Sequence, residues 1–314
     1  MIMKANNFKI KSYDESLGLT PIVGLYNQMV NYLNPESTFQ LSEELAHMML
    51  GRDVVLSRDF LTFENEQGEI VAFTGLAITP LFKDTHLAVA AAKPEYFDST
   101  LPKVLVDATL DLKEKLNIPE IIYQTGGDLH APFDNILKDL GYNPVNYTWS
   151  MCLDNFDLFS KPETPKGIKI QILKEIDDYT GAVNVLNKAF ADSFKYKPLT
   201  KTKWKKMTES FKKNHIVEHC VAYDKEKLIG MCDTILNPEQ DQSGSIGNFG
   251  VLPSYQHRKI GSAILATGIE SLRNKGCTYI KLGVDTKNEN ALNLYKKFGF
   301  YVKKNLTQKI YQIK

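Results

Sequence analysis

Residues 251–268, VLPSYQHRKIGSAILATG, change character twice within eighteen positions. An apolar run ends at Pro253, the cationic or titratable side chains of His257, Arg258 and Lys259 follow, and small apolar residues come next. A helix that begins here presents unpaired backbone N–H groups and the positive end of its dipole, which together suit an anion. The stretch therefore predicts a strand-to-helix turn that binds a phosphate or pyrophosphate.

The residue sizes at the start of this helix support the prediction. Phosphate oxygens reach backbone N–H groups only where side chains are small, as at Gly261, Ser262 and Ala263. Arg258 and Lys259 add positive charge beside them. The competing interpretation is a solvated turn, since a glycine at a helix start often lies near surface cations. The chain contains no G-x-x-x-x-G-K-[ST] loop, and it has one of the three glycines of a Rossmann fingerprint.

The sequence also repeats itself at an offset of about 159 residues. Segment 60–80, FLTFENEQGEIVAFTGLAITP, has the layout of segment 220–238, CVAYDKEKLIGMCDTILNP: each predicts two strands joined by a polar turn. Pro94 precedes Pro253 by 159 positions, and the block DNILKDLGY precedes LNLYKKFGF by 158. Because order and spacing hold across three blocks, the chain contains two copies of one unit.

The two copies are joined around residues 153–167, LDNFDLFSKPETPKG, whose prolines, charges and terminal glycine are typical of an exposed linker. We therefore expect two domains, 1–158 and 159–314. Each is predicted to be an α/β (α+β) unit, a mostly antiparallel mixed sheet flanked by helices. The oligomeric state is left open, and an internal pseudo-dimer of the two copies is one arrangement that fits the repeat.

The second copy gives the clearer prediction. A strand–helix–strand crossover lies in its middle, where Ile264, Leu265, Ile269 and Leu272 form one apolar helix face that Gly276 ends. The predicted elements are strand 168–173, helix 177–190, helix 200–213, the hairpin, strand 245–252, the crossover helix, strand 278–284, helix 289–298 capped by Gly299, and a closing strand 309–313.

Two motifs in this copy resemble those of the GNAT N-acetyltransferase superfamily. The signature [Q/R]-x-x-G-x-[G/A] of the acetyl-CoA-binding segment is matched by Arg258, Gly261 and Ala263. The second family pattern, N-x-x-A-x-x-L-Y-x-x-x-G-F, is matched at Asn288, Ala291, Leu294, Tyr295, Gly299 and Phe300. The resemblance covers residues 168–314 directly and the first half through the repeat. The chain is thereby identified as a tandem member with a degenerate N-terminal copy.

The resemblance implies a site for acetyl-CoA as the acyl donor. Backbone groups of Phe249 and Val251 would hydrogen-bond the pantetheine arm, and Asn288 would contact the same arm. Tyr295 would protonate the departing thiolate, a task for which a positioned phenol is suited; without the pattern, it would be an aromatic residue packed on the sheet. The backbone N–H groups that would hold the pyrophosphate belong to Arg258, Lys259, Ile260, Gly261, Ser262 and Ala263.

The first copy lacks these features. The offset places Ser99, Pro102 and Val104 at the positions of the cofactor signature, where Ser99 carries no charge and Pro102 has no N–H. Leu137 and His130 replace the tyrosine and asparagine of the second motif. We therefore expect residues 1–158 to keep the fold without a cofactor site. The alternative is a different ligand held by the loop TGGDLH, although its glycines more simply mark a turn.

The general base is not evident from the sequence. GNAT enzymes often use a glutamate on the central strand or a chain of water molecules, and the predicted strand 245–252 has no carboxylate. Glu218, His219 and Asp233 on the neighbouring hairpin are candidates. Each is expected to be a strand-edge or surface residue, so none is assigned.

A basic segment precedes this hairpin. Residues 195–213 hold eight lysines and one glutamate, which favours a solvated helix face. The alternative is a patch that attracts an anionic acceptor, because this segment borders the acceptor groove in the family. Trp204 within it is expected to be a partly buried anchor.

The overall composition excludes some classes of function. With 43% hydrophobic and 24% charged residues over 314 positions and a net charge of +1, nothing indicates nucleic-acid or membrane binding. The N-terminus has no signal-peptide core, so the expected location is the cytoplasm. The four cysteines form no CxxC pair, which favours reduced core residues and predicts no metal site; they are Cys152, Cys220, Cys232 and Cys277.

These observations favour an acetyl-CoA-dependent N-acetyltransferase. A primary amine of a small molecule or peptide would attack the thioester directly, because no serine or cysteine has a nucleophile context such as G-x-S-x-G. The alternative is a non-catalytic acyl-CoA-binding or regulatory protein. Retention of Tyr295 favours the enzyme, since binding alone would not need an acid there.

Overall fold

The protein is described by a computed structural model over residues 3–5, 8–33, 40–51, 53–78, 82–97, 99–126, 131–158, 160–213, 215–236, 242–303 and 307–314. It divides into two compact units. Unit 1 comprises Met1–Tyr147 and Asn305–Lys314, and unit 2 comprises Thr148–Lys304. The last ten residues of the chain therefore belong to the unit formed by its first half.

Unit 1 is a seven-stranded sheet with helices, whose strand order is β1-β2-β3-β4-β5-β6-β14. Neighbouring strands are antiparallel except β5 and β6, which are parallel and joined through helix α4. The elements are β1 (Met3–Ala5), β2 (Phe8–Ser12), α1 (Thr20–Leu33), α2 (Glu43–Leu50), α3 (Leu56–Asp59), β3 (Phe60–Glu64), β4 (Ile70–Ala77), β5 (His86–Ala92), α4 (Leu101–Lys115), β6 (Ile121–Gly126), α5 (Ala131–Asp139) and β14 (Gln308–Ile313).

Unit 2 repeats this plan with the strand order β7-β12-β11-β10-β9-β8. Its parallel pair is β11 and β12, joined through helix α8. A short strand, β13, also pairs with β7. The elements are β7 (Pro144–Leu153), β8 (Ile168–Leu173), α6 (Tyr179–Ala189), α7 (Lys201–Lys212), β9 (Ile216–Asp224), β10 (Lys227–Leu236), β11 (Ser243–Val251), α8 (Ile260–Asn274), β12 (Tyr279–Asp285), α9 (Glu289–Lys297) and β13 (Tyr301–Val302).

One local feature shows how closely the two units repeat each other. In unit 1 the side-chain amide of Asn27 donates to the carbonyl of Leu41 and accepts from its N–H, at 2.9 and 2.8 Å. In unit 2 Asn187 makes the same two bonds to Leu199, at 3.0 and 2.8 Å. Each asparagine thus holds the connection between the first two helices of its unit. The predicted mixed α/β architecture with two tandem units is confirmed.

The last strand lies in a different unit from the predicted one. Residues 309–313 were expected to close the sheet of the second copy, but β14 pairs antiparallel with β6, from Gln308–Gly126 to Ile313–Ile121. That prediction is wrong because strand periodicity does not identify the partner. Packing does: Tyr311 is fully buried and its hydroxyl donates to Asp134 of α5, which also accepts from Lys309 at 2.7 Å.

The sheet of unit 2 is completed by β7, a strand that follows the helices of the first copy in the sequence. It pairs antiparallel with β12, from Thr148–Asp285 to Leu153–Ile280. Each unit therefore contains one strand from the sequence of the other copy. The expected boundary at 158/159 lies within unit 2, while the assignment of functions to 1–158 and 159–314 stays a prediction.

Helices cover both faces of the unit 2 sheet. A Cβ on Gly250 of β11 would lie 2.7 Å from the Cβ of Ala189 at the end of α6, and one on Gly230 of β10 would lie 2.7 Å from Cδ1 of Ile264 on α8. Gly250 pairs with Met231, the neighbour of Gly230, and adjacent strand residues face opposite sides. The side of the sheet covered by α6 is called the α6 face below, and the other the α8 face.

The crossover helix α8 has the predicted buried face, since Ile264, Leu265, Ile269 and Leu272 are all essentially inaccessible. After its last residue Gly276 takes a left-handed φ of 88°, which lets its N–H bond the carbonyl of Arg273 at 2.8 Å. All four cysteines are buried and unbridged, which agrees with the prediction of core cysteines. No helix within the described part of the chain is long and apolar enough to span a membrane.

Candidate active site

The strands β11 and β12 pair over a short stretch only. Their recorded parallel pairs run from Ser243–Tyr279 to Ser245–Lys281, whereas β11 stays paired with β10 as far as Val251. The N–H of Leu252 donates to the Ile229 carbonyl on the β10 side, at 2.8 Å. Since successive strand residues direct their backbone groups to opposite edges, those of Val251 and Phe249 point toward the β12 side. Both residues predicted to bind the pantetheine arm thus have suitable backbone orientation.

A β-bulge lies just before these residues. Asp233 pairs with Gly247 and Met231 with Gly250, so β11 has one more residue than β10 over this interval. The extra length is taken up at Asn248, whose φ of 47° is left-handed. Bulges of this kind redirect side chains and end regular pairing, and they occur often beside active sites. The bulge thus changes the course of β11 immediately before Phe249 and Val251.

The start of α8 is open in the way that an anion site requires. Among the described residues, no side chain caps this helix, whereas α6, α7 and α9 in the same unit are capped by Asp178, Thr200 and Asn288. The N-cap residue Lys259 has a φ of 61°. The N–H groups of the first helical residues are thereby available in a short concave turn.

The N–H groups predicted to hold the pyrophosphate differ from one another in the structure. Ile260, Gly261 and Ser262 occupy the first turn of α8, where N–H groups lack intrahelical partners. The N–H of Ala263 already donates to the carbonyl of Lys259 at 3.1 Å. Ala263 is nearly fully buried, so its small side chain is its contribution to the turn.

Two cationic side chains lie against the ring of Tyr255 beside this turn, and this tyrosine was not predicted from the sequence. The guanidinium carbon of Arg258 lies 5.0 Å from the ring centroid of Tyr255, and Nζ of Lys227 lies 5.4 Å from it. The Tyr255 hydroxyl donates to Asp224 at 3.0 Å. Arg258 and Lys259 are both exposed. The ring holds two cations beside the start of α8.

Gly261 lies where β11, α8 and α9 meet. A Cβ at this position would lie 3.3 Å from Cζ of Phe249, 3.6 Å from Cγ2 of Val251 and 3.9 Å from Cδ2 of Leu294. The first contact is tighter than an ordinary van der Waals distance, so any side chain here presses on the strand end. Gly261, the predicted signature glycine, therefore lies where the start of α8 contacts the end of β11.

Tyr295 lies on α9 against the same strand end. It is 5% exposed, and its ring centroid lies 6.0 Å from that of Phe249 and 5.9 Å from that of Phe300. Burial, and secondarily the nearby Cys232, raise the pKa of its phenol above the ordinary value of 10.0. The hydroxyl therefore stays protonated at neutral pH and is able to donate.

Asn288 has a clear structural role. Its side-chain oxygen accepts from the N–H of Ala291 at 3.1 Å and caps the N-terminus of α9. Its side chain is otherwise exposed, close in sequence to the end of β12. Contact with the cofactor arm stays a prediction.

The three candidates for the general base are not surface residues; that expectation is wrong. Glu218, His219 and Asp233 are all buried, because β9 and β10 are central strands with helices on both faces. Burial alone would raise the pKa of Glu218, but hydrogen bonds from Lys275 at 2.6 Å and Ser271 at 2.8 Å lower it. Glu218 is thus held as a paired carboxylate on the α8 face.

His219 on β9 and Asp233 on β10 lie opposite each other, and a series of hydrogen bonds runs from them to the bulge. Nδ1 of His219 lies 2.7 Å from Oδ1 of Asp233, and Oδ2 of Asp233 accepts from the Asn248 amide at 2.6 Å. Trp204 on α7 contacts the His219 ring with centroids 5.8 Å apart. It is 1% exposed, so it is more deeply buried than the partly buried anchor that was expected.

The corresponding helix start in unit 1 has a different chemistry. The N–H of Leu101 donates to the Ser99 hydroxyl at 3.1 Å, the N–H of Val104 donates to the Thr100 carbonyl at 3.2 Å, and Pro102 has no N–H. Leu137, which replaces the tyrosine, is fully buried. His130 and the rest of the TGGDLH loop after its first two residues lie outside the described residues.

Comparison with known proteins gives consistent results. The model of the acetyltransferase (GNAT) family matches residues 183–300. A mycothiol acetyltransferase of Paenarthrobacter aurescens is 25% identical over 217 residues, which are 67% of this chain and 65% of that protein. The matched part of this chain thus spans just under two thirds of the length of that relative.

Two solved structures are similar over nearly the whole chain. A tandem GNAT protein from the clavulanic acid biosynthesis pathway has a TM-score of 0.71 at 11% identity, and the match covers 98% of each chain. A GCN5-related N-acetyltransferase from Sphaerobacter thermophilus has a TM-score of 0.66 at 19% identity, over 99% of this chain and 96% of that one. At these identities the likeness concerns the fold.

Proposed function

We propose that this chain, whose residues 183–300 match the model of the acetyltransferase (GNAT) family, transfers the acetyl group of acetyl-CoA to a primary amine. The family as a whole uses acyl-CoA donors and small-molecule or peptide acceptors. The finer assignment rests on one observation in unit 2. The uncapped start of α8, the diverging end of β11 and the buried phenol of Tyr295 meet around Gly261 and Phe249.

The residues around this point fit the parts of the donor. The first-turn N–H groups of α8, with Arg258 and Lys259 beside them, suit a pyrophosphate. Backbone groups of Phe249 and Val251 suit the amide-bearing pantetheine arm, which would lie along β11 like an added strand. The Val251 carbonyl accepts from the Gln256 amide at 3.2 Å, so the arm would share or displace that bond.

The transfer needs one bond made and one broken. The neutral amine attacks the thioester carbonyl, the C–N bond forms, and the C–S bond breaks to release coenzyme A. The departing thiolate needs a proton, which the Tyr295 hydroxyl supplies because its raised pKa keeps it protonated before the step. The attacking nitrogen loses one proton to solvent, and solvent returns one to the Tyr295 phenolate, so the net reaction converts an amine and a thioester into an amide and a thiol.

We further propose that the first half of the chain has no acetyl-CoA site. At its helix start one N–H is bonded to Ser99, and one position is Pro102, which has no N–H. Few donors would face a pyrophosphate there. This supports a single cofactor site per chain, in the second half.

A coupled assay for free thiol tests the proposed activity. The protein is incubated with acetyl-CoA and a panel of small primary amines and peptides, and coenzyme A release is followed with a thiol reagent. We expect amine-dependent release from at least one class of acceptor. Release from no acceptor, together with tight acetyl-CoA binding, would instead identify a non-catalytic acyl-CoA-binding protein.

A further inference from the structure

The bulge residue Asn248 is placed unusually for an asparagine in a central strand. Its φ of 47° lies in the left-handed region, which asparagine adopts at lower cost than most residues. Its side chain is exposed although its hydrogen-bond partner, Asp233, is only 3% exposed. The left-handed backbone at this position thus places one side-chain amide at the boundary between the core and solvent.

The chemistry of Asp233 determines which way that amide points. Its carboxylate accepts hydrogen bonds and donates none, so the NH₂ group of Asn248 must be the end that approaches Oδ2, at 2.6 Å. The carbonyl oxygen Oδ1 of Asn248 is then directed away from Asp233. An oxygen acceptor therefore lies at the exposed end of the bulge, with a negative charge directly behind it.

The buried His219 holds the carboxylate of Asp233 in position behind the Asn248 amide. The Nδ1 atom of His219 lies 2.7 Å from Oδ1 of Asp233. His219 Nε2 and Trp204 Nε1 are both buried without a hydrogen-bond partner among the described residues, on rings in edge-to-face contact. A carboxylate oxygen accepts, so the proton of the His219–Asp233 bond lies on Nδ1 of His219. His219 then donates to Asp233 and fixes its carboxylate.

The position of Asn248 relative to the proposed donor site completes the argument. The next residue, Phe249, contacts Tyr295 and borders Gly261 on the α8 face. Asn248 reaches Asp233 on the α6 face, the side on which Gly250 meets Ala189. A thioester held along this strand end would therefore have the leaving-group acid on one face and the Asn248 oxygen on the other.

We propose that Oδ1 of Asn248 binds the N–H of the attacking amine, and that Asp233 and His219 are positioning residues that act through it. The inference rests on the proposed function and deepens it. Positive charge develops on the amine nitrogen as it attacks, and the oxygen dipole backed by the Asp233 charge favours that change. The interaction strengthens in the transition state, so its loss lowers kcat more than it raises KM.

Asn248→Gly is the clean test, because glycine adopts the left-handed φ without strain and removes only the side chain. We expect kcat in the thiol-release assay to fall about 10- to 100-fold, the size of one charge-assisted hydrogen bond. The Kd for acetyl-CoA should stay within about twofold, since the amide faces the acceptor. Asn117→Gly in unit 1 is the matched control: it is exposed, has a φ of 52°, and should leave kcat unchanged.

A double-mutant cycle separates a positioning role of Asp233 from a structural one. If Asp233 acts through Asn248, Asp233→Asn lowers kcat in the wild-type background and has little further effect in the Asn248→Gly background. Additive losses would show that Asp233 serves only the fold. A kcat within threefold of wild type for Asn248→Gly would overturn the proposal. Absence of transfer by the wild-type protein to every amine would instead overturn the proposed function, and the inference with it.

Discussion

Replacement of Tyr295 by phenylalanine should lower kcat by about 10²- to 10³-fold and leave acetyl-CoA binding nearly unchanged. The hydroxyl is the only group removed, and the ring retains its contacts with Phe249 and Phe300. Burial raises the pKa of this phenol, so it is protonated throughout the range below its ordinary value of 10.0. Its deprotonation should therefore cause no fall in rate below about pH 10. Steady-state thiol release and calorimetry measure the two effects separately.

Tyr26→Phe provides the control for this substitution. Tyr26 lies on α1 in unit 1, and burial also raises the pKa of its phenol. Loss of that hydroxyl should change neither kcat nor acetyl-CoA affinity. A kcat for Tyr295→Phe within threefold of wild type would remove the tyrosine from the mechanism.

Introduction of a carboxylate at Gly261 should strongly weaken donor binding. Gly261 is the second residue of α8, where an acidic side chain interacts favourably with the helix dipole. The same charge occupies the place of the pyrophosphate and repels it. We expect Gly261→Asp to weaken acetyl-CoA binding by roughly 100-fold or more, on the scale of one close like-charge pair. The thermal midpoint, measured beside that of Gly261→Ala, reports any loss of stability from the tight Cβ contact with Phe249.

Two further variants separate the causes. Gly261→Ala adds only the Cβ, 3.3 Å from Phe249, so it should weaken binding much less than the carboxylate does. Thr100→Asp makes the same change of one charge at the N-cap of α4 in unit 1 and should leave the affinity unaltered. Equal affinities for Gly261→Asp and wild type would mean that the pyrophosphate does not bind at α8.

Much of the fold was predictable because it depends on local periodicity. The apolar face of α8, the left-handed Gly276 after it and both hairpins follow from residue spacing and turn chemistry. The exchange of β14 and β7 between the sheets was not predictable in this way. Alternating residues such as 309–313 fit either sheet, and the choice depends on distant partners such as Asp134.

The candidate site was predictable where small residues and charges coincide in a short motif, as at the start of α8. The hydrogen-bonded series of His219, Asp233 and Asn248 was not predicted, because polar residues in a strand resemble edge residues when the neighbouring strands are unknown. The hairpin turn at Lys225 and Glu226 does not give this pair by itself, because regular pairing from that turn would set His219 opposite Cys232. A register shift between Leu228 and Gly230 brings His219 opposite Asp233 instead. The left-handed bulge at Asn248 has no sequence signature either, since it depends on the register between β10 and β11.

Titration of the wild-type protein with acetyl-CoA in a calorimeter tests most directly the claim that one unit of the tandem pair binds the donor. At the start of α4 one N–H is bonded to Ser99 and Pro102 takes the place of Gly261, whereas α8 has no side-chain cap, so one site per chain is predicted. Gly261→Asp should remove that site completely. Two sites per chain, or one site that survives Gly261→Asp, would contradict the account.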